Sequence, residues 1–247
     1  MPDKKTLDFM GAIKFEWGDI DFTATDQALR IPAPKIEKQL EGGSQLVPLV
    51  PIEKIQTNDV SITQAILNRR SHRRFSDTPM SLDEFSYLLF CTQGIRQKHE
   101  KYTLRTVPSA GARHALETYV FVDRATGLAP GIYRYIASQH ALVQEQVMSD
   151  QLRRDFDDAT NGQLFGAAAY FVWTAIPYRM AWRYAFATPK LLALDVGHVC
   201  ENLYLACEAV GCGTCAIGAY SQKKIDALLG IDGVEEFAIY MAPVGKL

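Results

Sequence analysis

No stretch of this 247-residue chain approaches twenty consecutive apolar residues, so nothing in it reads as a membrane-spanning helix. It also lacks a strong charge of either sign. With 26 basic and 28 acidic residues the net charge is −2, which excludes a surface built to coat nucleic acid. Cysteine is scarce and odd in number. Cys91, Cys200, Cys207, Cys212 and Cys215 lie mostly in apolar runs, the pattern of buried thiols in a reducing cytoplasm rather than of a disulfide framework. The opening MPDKKTLDFMGAIKFEWGD has no long apolar core and no small-residue cleavage site, so no signal peptide is expected and the expected location is cytoplasmic. Repeats and low-complexity tracts are missing. So are a βαβαβ rhythm and a G-x-G-x-x-G after a strand, which argues against a Rossmann domain.

What is present reads as an α+β protein. Residues 1–57 form an irregular N-terminal extension, with Pro32, Pro34, Pro48, Pro51 and Gly42-Gly43. Phe9, Phe15, Trp17 and Phe22 give it material to dock onto a core or a partner subunit; disorder is the alternative. From residue 58 onward the signals sharpen into one domain. Ile62, Ala65, Ile66 and Arg69 share a helical face in SITQAILNRR. SLDE at 81–84 is a capping box that opens a helix with the stripe Leu82, Phe85, Leu88, Leu89, stopped at Gly94. LETYVFVD, IYRY, ALVQ, AAYFVWTAI and the final EFAIYMAPVGKL are strand-like by their β-branched and aromatic content. Residues 149–159 read as a short polar helix. Thr188-Pro189 reads as N-cap and first position of a long helix that stops at Gly211. Its apolar residues fall on nearly every side, so it is expected to be central and buried. Ser221 is expected to cap a last helix ending at Leu229-Gly230.

Three local features carry chemistry. Four arginines crowd NRRSHRRFSD (68–77), where guanidinium groups and Ser71 are donors suited to phosphate; a solvated turn with surface ion pairs is the alternative. TVPSAGARH (106–114) is a small-residue loop through which a backbone can approach a flat ligand, or simply a loop. GCGTCAIGAY (211–220) is a second small-residue stretch. Other constellations carry less. Cys212-x-x-Cys215 has no second pair, so buried thiols are expected and no metal site. Asp195, His198 and Glu201 sit on one helix, too few for a metal, and His198 is expected to be a hydrogen-bonded core histidine. Ser109 lies in no nucleophile-elbow motif.

Taken in order, RRSHRRF, PSAGARH, the long apolar helix ending in GCGTCAIGAY, and the final PVGK resemble the nitroreductase superfamily of FMN-dependent oxidoreductases over about residues 60–247. Within it the chain is most similar to the SagB-type dehydrogenases that form thiazoles and oxazoles. The resemblance implies a nitroreductase-like fold: a central, mostly antiparallel sheet flanked by helices in an intertwined homodimer, with FMN at the interface. It implies that Arg69, Arg70, Ser71 and Arg73 hold the FMN phosphate and polar edge, and that Pro108, Ser109, Ala110 and Gly111 reach the flavin from the neighbouring subunit. It places Ile217, Gly218 and Ala219 at the flavin ring and Lys246 near the phosphate. In the SagB-type branch a Lys-Tyr pair handles protons during azoline oxidation. Here the pair is Arg183-Tyr184, and a guanidinium that stays protonated cannot act as that base. The expected activity is therefore two-electron transfer between a donor, NAD(P)H or an organic substrate, and a small-molecule acceptor. Azoline dehydrogenation and a flavin-binding or scaffold protein without turnover are the alternatives.

Overall fold

The computed structural model describes residues 10–40 and 42–247, so Phe9 lies outside the described residues. The strands are β1 (Leu46–Pro48), β2 (Met80–Ser81), β3 (Ile95–Lys98), β4 (Thr103–Arg105), β5 (Leu116–Val122), β6 (Ala125–Thr126), β7 (Gly131–Ile136), β8 (Ala141–Val147), β9 (Ala169–Ala175), β10 (Cys212–Thr214) and β11 (Phe237–Lys246). The helices are α1 (Ile62–Asn68), α2 (Leu82–Gln93), α3 (Asp150–Ala159), α4 (Pro177–Tyr184), α5 (Thr188–Val210) and α6 (Gln222–Leu229).

A seven-stranded sheet in the order β1-β8-β7-β5-β9-β11-β10 divides the molecule, and each of its pairings is antiparallel. Every residue of β5 and β9 is buried, which is why neither strand shows an apolar–polar alternation. One face is covered by α2 and α5, through residues such as Phe85, Leu88, Val199 and Leu203. The other is covered by α3 and α6, where Leu152, Phe156, Ile225 and Leu229 close a second cluster. The expected α+β architecture is the one observed.

Local chemistry sets the helix ends. Ser61 with Gln64 and Ser81 with Glu84 form complete capping boxes, and Ser149 accepts from the Leu152 N–H. Gly211 ends α5 in the left-handed conformation, at φ 61°. Ser221 stands at the N-cap of α6, but its side chain makes no capping hydrogen bond. Three expectations need correction. Thr188 is the first residue of α5 rather than its cap; its hydroxyl donates to the Ala185 carbonyl instead. Helix α4 was not legible, because Ile176 at its N-cap offers no side-chain acceptor. And α5 is not buried all round: Leu194, Gly197, His198 and Glu201 form an exposed stripe, so His198 is not a core histidine. On α1 only Ala65 is buried, while Ile62 and Ile66 are exposed.

The described residues of the N-terminal segment are fastened to the rest of the chain at several points. Phe15, Trp17 and Phe22 pack on one another and reach Phe186 and Tyr184. The Gln27 N–H donates to the Trp182 carbonyl at 2.9 Å, and the Trp182 indole donates to the Ile31 carbonyl at 2.9 Å. Further on, the Lys38 N–H donates to Glu117 at 2.7 Å and its ammonium pairs with Glu236 at 2.7 Å. Residues 46–48 then join the sheet edge against β8.

Glu117 also pairs with Arg179 at 2.6 Å, both side chains being almost wholly buried. Removing one member of such a pair strands the other charge, at a cost of about 3–5 kcal/mol. Glu117→Ala should therefore lower the urea unfolding free energy by about that amount and make residues 26–40 the first site of proteolysis; a loss below about 1 kcal/mol would contradict this reading.

Candidate active site

The arginine turn follows α1 directly and is bonded to the far edge of the sheet. Arg69 is the C-cap of α1, and Ser71 forms a parallel bridge with Thr214 of β10. The His72 N–H donates to the Thr214 carbonyl at 2.9 Å. So close an approach depends on Gly213: a Cβ there would lie 2.6 Å from Leu247 and 2.9 Å from the His72 ring.

Tyr204, on α5, organises this corner. Its hydroxyl lies 3.0 Å from Ser71 Oγ and accepts the Ala216 N–H at 2.8 Å, while its ring carries the Arg69 guanidinium 5.4 Å from the centroid. Sequence reasoning missed it. The available signal was a tyrosine within a buried apolar helix, whose hydroxyl needs a partner. Arg70, Ser71 and Arg73 are exposed, and none of Arg69, Arg70, Arg73 and Arg74 is ion-paired among the described residues.

The stretch after β10 is divided in its availability. The Ile217 N–H and carbonyl are both paired with Met241, whereas Gly218 and Ala219 are exposed and the Ala219 carbonyl accepts from Asn161 and Gln163. Lys246 is engaged too. Its ammonium pairs with Glu84 at 2.6 Å and donates to the Val210 carbonyl at 2.9 Å. Burial works most strongly against that charge, but the Glu84 hydrogen bond and the neighbouring Cys212, Glu84 and Cys207 together raise the Lys246 pKa. Cys212 and Cys215 are buried and free, and burial pushes the Cys212 thiol up to about 12.

The small-residue loop is anchored elsewhere on α5. Ser109 Oγ donates to Asp195 at 2.6 Å, the Ala110 N–H donates to its other oxygen at 3.2 Å, and Ser109 Oγ in turn accepts the His114 N–H at 2.9 Å. Burial raises the Asp195 pKa, while these two donors and His198 pull against it. Burial, reinforced by Arg105, lowers the His114 pKa to about 3, so the ring is neutral and its Nε2–H donates to the Thr103 carbonyl. Pro108 and Gly111 are exposed.

Strain collects here. Gly111, Ala112 and His114 have φ of 57°, 53° and 45°, and Ala185, next to Tyr184, has 45°. Each non-glycine residue so held costs on the order of 1–3 kcal/mol. A Cβ at Gly111 would lie 2.6 Å from the Tyr184 hydroxyl and 3.1 Å from Arg183 Cδ. The loop and the Arg183-Tyr184 pair are thus one assembly.

The two assemblies flank the exposed stripe of α5. Asp195 and Tyr204 are nine residues apart, about 14 Å along the axis and half a turn around it. The helix therefore holds the small-residue loop on one flank and the arginine turn on the other.

The nitroreductase family model matches residues 66–246. The chain belongs to the nitroreductase family. A Methanocaldococcus jannaschii protein named "putative nitroreductase" is 32% identical over 207 residues, 83% of this chain and 98% of that protein. The trifolitoxin-processing protein TfxB of Rhizobium leguminosarum bv. trifolii is 28% identical over 143 residues, 55% of this chain and 38% of TfxB. Among solved structures, a "putative nitroreductase" of Ralstonia eutropha superposes with a TM-score of 0.67 at 22% identity, over 87% of this chain and 98% of that one. The E. coli microcin synthetase McbBCD complex with truncated pro-MccB17 bound gives a TM-score of 0.61 at 13% identity, over 100% of this chain and 94% of the matched chain. At such identities the structures show the fold alone. Family membership supports an oxidoreductase.

Tyr204→Phe leaves Ser71 Oγ and the Ala216 N–H without their shared partner. The expected result is faster hydrogen exchange at the Ala216 amide and a loss of about 1–3 kcal/mol in stability, with exchange at Ala110 unaffected; unchanged exchange at Ala216 would contradict the role given to Tyr204.

Proposed function

We propose that this chain is an FMN-dependent oxidoreductase, working as a homodimer. It moves two electrons between a donor, NAD(P)H or an organic substrate, and a small organic acceptor. The observation that carries the reading is the arginine turn itself. Arg69, Arg70, Ser71 and Arg73 follow one another at one corner, where Tyr204 contacts Arg69 and Ser71 and none of the arginines has a carboxylate partner among the described residues. A phosphate dianion fits that donor set, through charge-assisted hydrogen bonds, and offsets the repulsion among the guanidinium groups. Lys246, committed to Glu84, is left out of the set. Ile217 supplies no free backbone group, so Gly218 and Ala219 are the positions of that stretch that face outward to a ligand.

When bound, FMN supplies the hydride-accepting and hydride-returning ring. This chain supplies binding and orientation. Pro108, Ser109, Ala110 and Gly111, fixed by Asp195, present small side chains and backbone to a flat group. A guanidinium offers hydrogen-bond donors and no acceptor, so Arg183 orients an anionic or carbonyl-bearing substrate rather than serving as a base. Tyr184 Oη is the group able to give a proton.

The exposed stripe on α5 supports dimerisation. Leu194 there is 52% exposed, and Ile66 and Leu67 of α1 are 56% and 76% exposed. A twofold axis lying in that face, perpendicular to the line between the two assemblies, sets the small-residue loop of each copy against the arginine turn of the other. Each flavin would then be held by both chains.

Azoline dehydrogenation of peptides is a second reading, favoured by the similarity to a trifolitoxin-processing protein and to a chain of the microcin synthetase complex. Arg183 stands against it, in the place of that branch's lysine. The test is direct. The purified protein should be yellow, and its flavin absorbance should bleach anaerobically with NADH or NADPH. Arg69→Ala and Arg73→Ala should each weaken FMN retention about 10- to 100-fold, the value of one lost charge-assisted contact. Variants that hold FMN as tightly as the parent would remove the arginine turn from the site. Bleaching by azoline peptides and not by nicotinamides would favour the second reading, and colourless protein that takes up no added FMN would make the chain a scaffold.

A further inference from the structure

Between the Gly111 loop, the end of α4 and the N-terminal strap lies a cavity of about 400 Å³. Its walls carry Lys101, Arg113 and Arg183, the aromatic rings of Tyr102 and Trp182, and no carboxylate among the described residues. Arg113 is the built element. It is only 6% exposed, its Nε donates to the Arg179 carbonyl at 2.8 Å, and its guanidinium lies 4.7 Å from the Trp182 ring centre. Trp182 is itself held by the strap through Gln27 and Ile31. Of the other buried arginines, Arg134 has Glu145 at 2.7 Å and Arg179 has Glu117 at 2.6 Å, whereas Arg105 donates to the Gln93 side chain at 3.0 Å and to the Ile36 carbonyl at 3.1 Å. Arg113 forms no ion pair among the described residues. Burial lowers its pKa, and the charges of Arg183 and Arg179 lower it further. A buried cation facing another cation is a cost that an incoming anion relieves.

We propose that this cavity binds the carboxylate of a small planar acid, with Arg113 as the specificity-determining cation, Lys101 and Arg183 beside it, and Trp182 and Tyr102 as the walls for the ring. A guanidinium takes a carboxylate through two parallel hydrogen bonds, and the Trp182 face fixes the plane in which it does so. The volume is that of a small-ligand site, mostly apolar with few placed polar groups. Because the cavity shares Gly111 and Arg183 with the proposed flavin site, the inference names the substrate class of that site and rests on that reading for its relevance to catalysis. The binding of the acid does not depend on it.

The experiment uses 4-nitrobenzoate and its neutral analogue 4-nitrobenzamide. Calorimetric binding is measured on the protein as purified and after flavin removal, and steady-state reduction is measured where flavin is present. The acid should bind at least about tenfold more tightly than the amide. Arg113→Lys, which keeps the charge but loses the fork, and Lys101→Gln, at an exposed position that leaves folding untouched, should each cut that preference severalfold without changing amide binding. Equal binding of acid and amide, or a preference unaltered in Lys101→Gln and in a folded Arg113→Lys, overturns the proposal. So does inorganic phosphate that competes as tightly as the acid. Acid preference in a protein that holds no flavin supports the cavity and sinks the flavin reading. A flavoprotein that reduces both compounds with equal KM does the reverse.

Discussion

The structure turns on two polar side chains on the buried face of α5. Asp195 and Tyr204 of α5 are both buried, and a buried carboxylate or hydroxyl without partners costs more than a helix of this kind can absorb. Each finds its partners in a loop: Asp195 in Ser109 and Ala110, Tyr204 in Ser71 and Ala216. Burial of the helix against the sheet thereby positions both ligand-binding candidates. Half a turn and about 14 Å separate them, so the helix acts as a ruler between two half-sites. The stripe between the two is left exposed.

Around that ruler the fold places strain and restraint together. The φ values of Gly111, Ala112, His114 and Ala185 are positive where the small-residue loop meets Arg183 and Tyr184. Neighbouring residues over-determine them: Asp195 pulls on the loop from one side, and the aromatic cluster of Phe15, Trp17 and Phe186 packs beside Tyr184 on the other. The N-terminal strap is part of this restraint. It holds Trp182 by two backbone contacts and ties into the buried Glu117–Arg179 pair through Lys38. The same strap closes one side of the cationic cavity.

Much of this was legible in the sequence where the signal is local. Ser81 marks a helix start by its capping box, Gly211 marks the end of α5, and the strands declare themselves by β-branched and aromatic runs, whereas the caps read at Thr188 and Ser221 make no capping hydrogen bond. The arginine turn and the small-residue loop stood out by composition. What failed was tertiary. Pro177 at the first position is a weak sign of α4, and the apolar Ile176 before it adds no capping signal. The exposed stripe of α5 reads as buried because Leu194 is apolar like the core residues around it, and only the packing reveals which side faces outward. Asp195 could be recognised as a buried acid in need of a partner, but the partner lies 86 positions away. Ile217 and Lys246 were assigned by resemblance, and only the Met241 pairing and the Glu84 contact reveal that those groups are engaged.

The central claim, that each flavin site takes its arginine turn from one chain and its small-residue loop from the other, is tested by subunit complementation. One chain carries Arg69→Ala with Arg73→Ala, the other carries Asp195→Ala, and differently tagged copies are co-expressed and purified as the mixed dimer. Each homodimer should be nearly free of FMN. The mixed dimer should hold one FMN per dimer, because one of its two sites joins an intact turn to an intact loop. A mixed dimer as empty as the homodimers would mean that both elements act within one chain, and the account would fail.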